Sequence, residues 1–341
     1  MKITDLKIHL PLGLLRIQTD AGIEGLSDGC GETCAEFIQQ VYRPELLGQD
    51  PYHREVIWQR LMHLERLRYP PANVYRAVVD NALWDLAGKA AGMPVWKLLG
   101  GYRDHIPCYR SGPDLETVDE YVEDALRVQA LGFKGYKDHC WRGPAVMIDV
   151  ARALREAVGP DFHLMHDAVQ VYEYNGAVKV GRELERQQFT WFEEPLRDFD
   201  YLGLRKLCAT LEIPIAATEF LPGSIYSTAQ VLALRSADIV RASNGWRGGI
   251  TDHMKIAQLA EAFGVNLEIT SLGSNWGFAH ANLYGAIKNT TFHENNADLD
   301  RDPIVRNPLQ VRDGILYMPS GPGLGFDLDP EIVAQRTERI V

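Results

Sequence analysis

Along the first hundred positions the hydrophobic pattern changes period. Ile3 to Leu10 alternates apolar and polar residues, Pro11-Leu12-Gly13 turns the chain, Leu14 to Thr19 alternates again, and Asp20-Ala21-Gly22 marks a second turn. A period of two broken by turn residues predicts an antiparallel meander. Helical periodicity follows. It is clearest from Arg76 to Ala91, where Ala82, Leu83, Leu86, Ala87 and Ala90 share one face. Gly92 and Pro94 then supply the stop that a helix end prefers.

From about Ile106 the rhythm becomes regular. Short apolar runs begin at Ile106, Gly132, Phe162, Thr190, Ile213, Ala237, Val265 and Asn289. Between them lie amphipathic segments such as Val118–Leu131, Val146–Val158, Ala177–Gln187 and Asp252–Phe263. Strand and helix steps of similar length predict parallel strands joined by crossover helices, and eight of them close into a TIM-like barrel. The division expected is an α+β domain over residues 1–105 and a barrel over 106–302. The Pro- and Gly-rich tail, 303–341, contains a short strand at Gly314–Met318 and is expected to complete the first domain.

Composition narrows the function classes. The chain has 341 residues, 46% hydrophobic and 24% charged, enough for a large core, with a net charge of −11. An acidic chain repels phosphate backbones and anionic membranes, so neither nucleic acid nor a membrane is an expected partner. A small anionic substrate stays open, because a bound metal reverses the local potential. No apolar run nears the ~20 residues of a bilayer span, and the first residues lack a signal-peptide core, so a cytoplasmic location is expected. Cys30, Cys34, Cys108, Cys140 and Cys208 form no CxxC pair and read as reduced, packed thiols.

The candidate chemistry sits at the ends of the predicted barrel strands. Asp167, Glu193 and Glu219 follow one another at intervals of 26 residues, one strand-helix unit each. Strand C-termini line one mouth of a barrel, so three carboxylates would share one volume. They cannot stay ionised together without a cation, and hard oxygen donors suit Mg²⁺. One strand earlier, Lys137 and His139 flank Asp138, and alternation places them on the same face. Removing a proton next to a carboxylate needs a base, plus cations to hold the charge that develops. By the same alternation His166 faces away from its neighbour Asp167, toward the helices.

These residues resemble the enolase superfamily, and within it the mandelate racemase/muconate lactonizing enzyme-like branch. The resemblance spans RAVVDNALWDLAGKAAGMPVWKLLGG from Arg76, HDA at Asp167, WFEEP at Glu193, ATE at Glu219, ADIVRASNGWRGGIT from Ala237 and PSGPGLGFDLD from Pro319. It implies a modified TIM barrel, (β/α)7β, beneath an N-terminal α+β capping domain. It also implies Mg²⁺ on Asp167, Glu193 and Glu219, a small carboxylate substrate and an enediolate. Glu294 resembles the acid that hydrogen-bonds the substrate carboxylate. Family members racemise, eliminate water or cycloisomerise, and they assemble as dimers or octamers, so a homo-oligomer is expected.

The chain departs from the branch in ways that bear on the reaction. The usual K-x-K of the second barrel strand is Lys137-Asp138-His139 here. The branch's aspartate on the sixth strand and histidine on the seventh align with Ser243 and Ser271, and the lysine of the cycloisomerases is missing as well. With His139 as the one obvious base, syn dehydration of an acid sugar to a 2-keto-3-deoxy acid is expected. The alternatives are racemisation, epimerisation or cycloisomerisation, and a lapsed barrel that binds metal without turnover. Arg241 and Arg247, near the sixth-strand mouth, are placed either to bind a distal carboxylate or hydroxyls, or to form structural ion pairs. Asn275 and Trp276 either line the pocket or pack it. The family's mobile loop between the first two strands is reduced to Pro11-Leu12-Gly13. Tyr69, Pro70, Pro71 and Tyr75 are a candidate cover or a rigid surface loop.

Overall fold

A computed structural model describes residues 1–65, 72–271, 275–296 and 302–341. Tyr69, Pro70 and Pro71 lie outside the described residues, whereas Tyr75 is buried against Phe37 in the first domain.

The first domain is the expected meander: β1 (Ile3–Pro11), β2 (Leu14–Thr19) and β3 (Glu24–Ser27) pair antiparallel. Alternation sends Leu6, Ile8, Leu15 and Ile17 to one side, where they pack on helix Ala72–Ala91 through Val78, Val79, Ala82, Leu83 and Leu86. Removing this apolar face from water is the domain's main driving force, at roughly 25 cal/mol per Å².

Eight parallel strands form the second unit: β4 (His105–Ser111), β5 (Gly135–Asp138), β6 (His163–Asp167), β7 (Trp191–Glu193), β8 (Ile215–Ala217), β9 (Ile239–Ser243), β10 (Asn266–Thr270) and β11 (His293–Asn295). Parallel ladders join each of the first six to the next, and β11 pairs back onto β4. The β10/β11 seam has no ladder among the described residues. It is bridged instead by the Leu267 amide donating to the Asn289 carbonyl at 2.8 Å and by the Ser271 amide donating to Glu294 at 2.9 Å. A helix follows each of the first seven strands, which is the (β/α)7β order.

Inside the barrel Tyr109, Met165, Trp191, Ala216 and Phe292 fill the lower layer, so the cavity is confined to the upper end. The outer faces of the strands pack on amphipathic helices. Val118–Ala130 is typical: Thr117 and Glu120 form a capping box at its start, and Tyr121, Ala125 and Val128 are its buried face.

The tail divides between the two units rather than simply completing the first. β12 (Gln310–Arg312) and β13 (Ile315–Tyr317) make a hairpin whose second strand pairs antiparallel with β4 of the barrel. β14 (Thr337–Ile340) reaches the meander, adding to the edge of β1. The reason is burial: Leu316 packs beside Ile106 and Cys108.

A buried polar network locks the capping helix to the barrel. Asp80 accepts from the Thr251 amide at 2.8 Å and hydroxyl at 2.6 Å, and Asn81 donates to Asn244 at 2.7 Å. Arg76 pairs with Asp252, which also accepts from Trp58 at 2.9 Å. The contact requires Gly249 (φ 93), where a Cβ would lie 2.7 Å from the Asp80 carboxylate. No helix among the described residues is long and apolar enough to cross a membrane.

Candidate active site

The three acids come together at the barrel mouth. Asp167 ends β6, Glu193 ends β7, and Glu219 stands two residues beyond β8. They are buried, and one carboxylate oxygen from each lies within 4.8 Å of the others. The backbone that presents them is strained: Glu194 has φ 43 and Thr218 φ 82, next to Glu193 and Glu219 respectively. A β-branched residue at positive φ is a genuine outlier, and such outliers cluster at functional sites.

Lys137 points inward from β5. Its ammonium is 2.7 Å from Glu294, 2.9 Å from Glu193 and 3.3 Å from Asp167. Burial alone would lower its pKa, but the Glu193 and Glu294 carboxylates outweigh burial and hold it well above the ordinary lysine value. Lys137 is therefore a fixed cation, not a base. His139, one residue past β5, faces the same volume, with Nε2 3.2 Å from Asp167 and Nδ1 2.6 Å from the Gly112 carbonyl. A carbonyl only accepts, so Nδ1 carries a proton; the Asp167 carboxylate also only accepts, so its contact holds the protonated imidazolium, and loss of that Nε2 proton leaves the lone pair facing the cavity. Burial lowers the imidazole pKa, the Asp167 hydrogen bond and charge raise it, and the net shift is upward. His166 faces the helix side, 2.8 Å from Asp138 and stacked on Phe192.

Glu294, at the end of β11, accepts from Lys137, from Arg241 at 3.2 Å and from the Ser271 amide at 2.9 Å. Burial would raise its pKa, but Lys137 and Arg241 pull it well below the carboxylate range.

Four other expected contacts lie behind the cavity wall. Arg241 is fully buried, with its guanidinium 2.9 Å from Glu193 and 3.2 Å from Glu294, which is the ion-pair alternative. Arg247 is also fully buried and donates to the Thr218 carbonyl at 2.6 Å, the Ser224 carbonyl at 3.2 Å and the Thr228 hydroxyl at 2.8 Å. The Ser271 hydroxyl is turned to the Glu294 carbonyl, and Ser243 is fully buried. None of the four is among the described residues that line the cavity. Trp276 packs on Phe326, and its amide, with that of Asn275, donates to Asp28 of the capping domain.

The cavity measures about 590 Å³ and opens between Ser111, Lys137, His139, Asp167, Glu219 and Glu294. Trp141, Val169 and Phe220 add apolar surface to its lining. The Gly112 carbonyl and this apolar surface were not identified from the sequence. A glycine directly after a strand was the available sign of the first. The second Glu of the EEP motif was also passed over. Glu194 is buried, shares a hydrogen bond with Asp198, and accepts from the Glu219 amide at 3.1 Å.

Counting charge tests whether a metal fits. Asp167, Glu193, Glu219 and Glu294 are buried together with two permanent cations, Lys137 and Arg241, leaving two negative charges unbalanced. Burial, opposed by Arg241 and reinforced by Glu193 and Asp167, pushes Glu219 up to about 8. A divalent cation on three hard oxygen donors removes both the deficit and the reason for that proton.

Comparison with known proteins agrees. The family profile Enolase C-terminal domain-like matches residues 120–332, and that of the mandelate racemase/muconate lactonizing enzyme N-terminal domain matches 8–100. The chain belongs to the enolase superfamily, in its mandelate racemase/muconate lactonizing enzyme-like branch. Among enolase superfamily relatives it is 33% identical, over 323 residues, to arabinonate dehydratase of Saccharolobus solfataricus, covering 89% of this chain and 84% of that protein. It is 32% identical to L-talarate/galactarate dehydratase of Salmonella typhimurium, over 84% of this chain and 71% of that one. Among superfamily structures, D-glucarate dehydratase from Agrobacterium tumefaciens complexed with magnesium superposes with a TM-score of 0.90. It is 31% identical and covers 99% of this chain and 100% of the other.

Proposed function

We propose that this protein is a Mg²⁺-dependent dehydratase of acid sugars, with Asp167, Glu193 and Glu219 as the metal ligands and His139 as the single acid/base. One arrangement carries the reading: a half-buried imidazole with Nδ1 committed to Gly112 and Nε2 facing a three-carboxylate cluster. The dehydratases of arabinonate, talarate/galactarate and glucarate among its relatives support the substrate class.

When bound, Mg²⁺ would hold the substrate carboxylate and neutralise the charge that builds on it as the neighbouring proton leaves. The protein's own groups do the rest. Neutral His139 takes the proton from C2 at Nε2. Lys137, kept cationic, adds a positive charge beside the same carboxylate. The imidazolium then gives its proton to the C3 hydroxyl, which departs as water from the same face, and His139 is neutral again. The enol left behind tautomerises to the 2-keto-3-deoxy acid, one water lighter than the substrate. Glu294 and Arg241 hold Lys137 and Glu193 in place.

A panel of five- and six-carbon sugar acids with Mg²⁺ in D₂O tests the reading. Conversion of one of them to a 2-keto-3-deoxy acid is expected. Deuterium uptake with inversion at C2 would instead mean epimerisation, ring opening would mean cycloisomerisation, and metal binding with no reaction would mean a lapsed barrel.

A further inference from the structure

The second face of the meander looks onto the tail of the chain. Register sets His9 opposite Leu14 and Arg16 opposite Leu26, and alternation puts Leu14 and Arg16 on the same side. These four side chains therefore share the face that points away from helix Ala72–Ala91. Phe326 and Leu328, Val333 of helix Pro330–Arg336 and Ile340 of β14 stand across from them. The two sides do not close on each other. They enclose a pocket of about 790 Å³, larger than the catalytic cavity and sharing none of its described lining residues. A pocket of this size holds a small organic molecule.

Its polar groups are few, and their free atoms define what they would bind. His9 is only 7% exposed. Its Nδ1 lies 3.2 Å from the Thr337 hydroxyl oxygen, whose one proton goes to the Val333 carbonyl at 2.6 Å. The hydroxyl must then accept from Nδ1, which leaves Nε2 of the neutral ring as an acceptor. Burial and the Arg16 charge lower the imidazole pKa and favour that neutral ring. Among the described residues nothing donates to Nε2. Arg16 directs Nε and Nη2 to Glu24, so Nη1 has protons left over. Lys89 pairs with Asp85 at 2.6 Å and donates to the Glu24 carbonyl at 3.3 Å, so one ammonium proton is left. Asp327 and Glu338 also line the pocket, but both are exposed and screened by water.

We infer that this pocket is a second ligand site, separate from the catalytic one, and that it takes a small hydroxy acid with an apolar body. Leu14, Leu26, Phe326, Leu328 and Val333 receive the body. The remaining donors of Arg16 and Lys89 receive the carboxylate, and His9 Nε2 accepts from the hydroxyl. A polyhydroxylated sugar acid does not suit the site, because most of its hydroxyls would lose water against an apolar wall with nothing to replace it. The ligand class is thus different from that of the catalytic cavity, where three carboxylates and two cations leave little apolar surface.

Isothermal titration of the full, metal-free chain tests this with three probes that share a phenyl ring: 3-phenyllactate, 3-phenylpropionate and 2-phenylethanol. Saturable binding of 3-phenyllactate is expected. Affinity should be about 3–10-fold lower for 3-phenylpropionate, which lacks the hydroxyl, and lowest for 2-phenylethanol, which lacks the carboxylate. In His9→Phe the two acids should bind equally. In Val333→Trp the indole fills the pocket, so 3-phenyllactate binding should be lost while Mg²⁺ binding is unchanged. Neither readout needs turnover, so the result stands apart from that of the dehydratase assay. No binding of 3-phenyllactate, wild-type binding in Val333→Trp, or an alcohol that binds as tightly as the acids overturns the inference. A hydroxyl advantage that survives His9→Phe overturns the role of Nε2. If Val333→Trp does not fold, methyl NMR of the wild type decides. Shifts at Leu14, Leu26, Leu328 and Val333 on adding 3-phenyllactate support the site, and shifts at Val169 of the catalytic cavity in their place overturn it.

Discussion

Replacing Arg247 by methionine tests how the third carboxylate is held. Thr218 sits at φ 82, a conformation that costs about 1–3 kcal/mol and persists only where surroundings enforce it. The enforcing groups are few. Arg247 holds the Thr218 carbonyl at 2.6 Å, and Glu194 holds the Glu219 amide at 3.1 Å. Arg247 is also the cation beside the buried Asp198, whose hydrogen bond to Glu194 completes the frame. Methionine fills similar space but donates nothing and leaves Asp198 uncompensated. Removing one partner of a buried charge pair costs about 3–5 kcal/mol. At roughly 2 °C per kcal/mol for a chain of this size, the apo protein should lose about 6–10 °C of Tm. With its frame loosened, Glu219 should bind Mg²⁺ about 10–100-fold more weakly, the usual effect of removing a group that orients a ligand. Scanning calorimetry measures the first and isothermal titration the second. Arg247→Lys separates the causes: it restores the charge but not the three-pronged geometry, so it should recover stability more than metal affinity. Wild-type affinity and a Tm within about 2 °C in the methionine variant would refute the reasoning.

His139→Asn should abolish exchange of the substrate's α-proton, a loss of about 10²–10⁴-fold or more, yet keep Mg²⁺ binding; NMR in D₂O reads the first and titration the second. In the metal-free protein the Asp167 contact raises the imidazole pKa, so the His139 ring signals should titrate above the ordinary value of 6.5 by NMR; a midpoint below 6.5 would contradict the Asp167 contact. Glu219, pushed up to about 8, must shed its proton to bind metal, so Mg²⁺ affinity should rise with pH up to about 8 and then level off, with proton release seen as a buffer-dependent heat. Gly112→Ala would push a methyl group into the Tyr136 phenol and displace the carbonyl that orients His139; a fall in kcat approaching 10²-fold is expected, and unchanged kcat would clear Gly112 of that role.

The periodic features were the legible ones. An interval of 26 residues between carboxylates, set by strand-helix units, survives folding as neighbouring strand ends, and alternation along β5 put Lys137 and His139 against the same Asp167. What could not be read depends on register between strands far apart in sequence. Arg241 on β9 reaches Glu294 on β11 past the intervening β10, and no local pattern in ADIVRAS signals that pairing. The Gly112 carbonyl is a backbone atom, invisible to any reading of side-chain types. The route of the tail was set by an apolar match between Leu316 and the β4 edge, which a Pro- and Gly-rich composition conceals.

The arrangement across the cavity from His139 decides what chemistry the barrel can perform. On that side stand β9 and β10; among the described residues Thr270 lines the cavity there, with Arg241, Ser243 and Ser271 behind it. A guanidinium is permanently protonated and accepts nothing, and a serine or threonine hydroxyl is far too weak a base without a partner histidine. In the proposed single-base reaction, a proton on C2 is taken, and returned, from one face only. Two consequences follow together. Elimination must be syn, with the C3 hydroxyl leaving on the side where the imidazolium waits, so a substrate epimeric at C3 should bind but resist dehydration. Any deuterium that enters C2 from solvent must do so with retention. Chiral analysis of recovered substrate measures this: an inverted C2 would require a proton donor on the β9–β10 side and would end the single-base account.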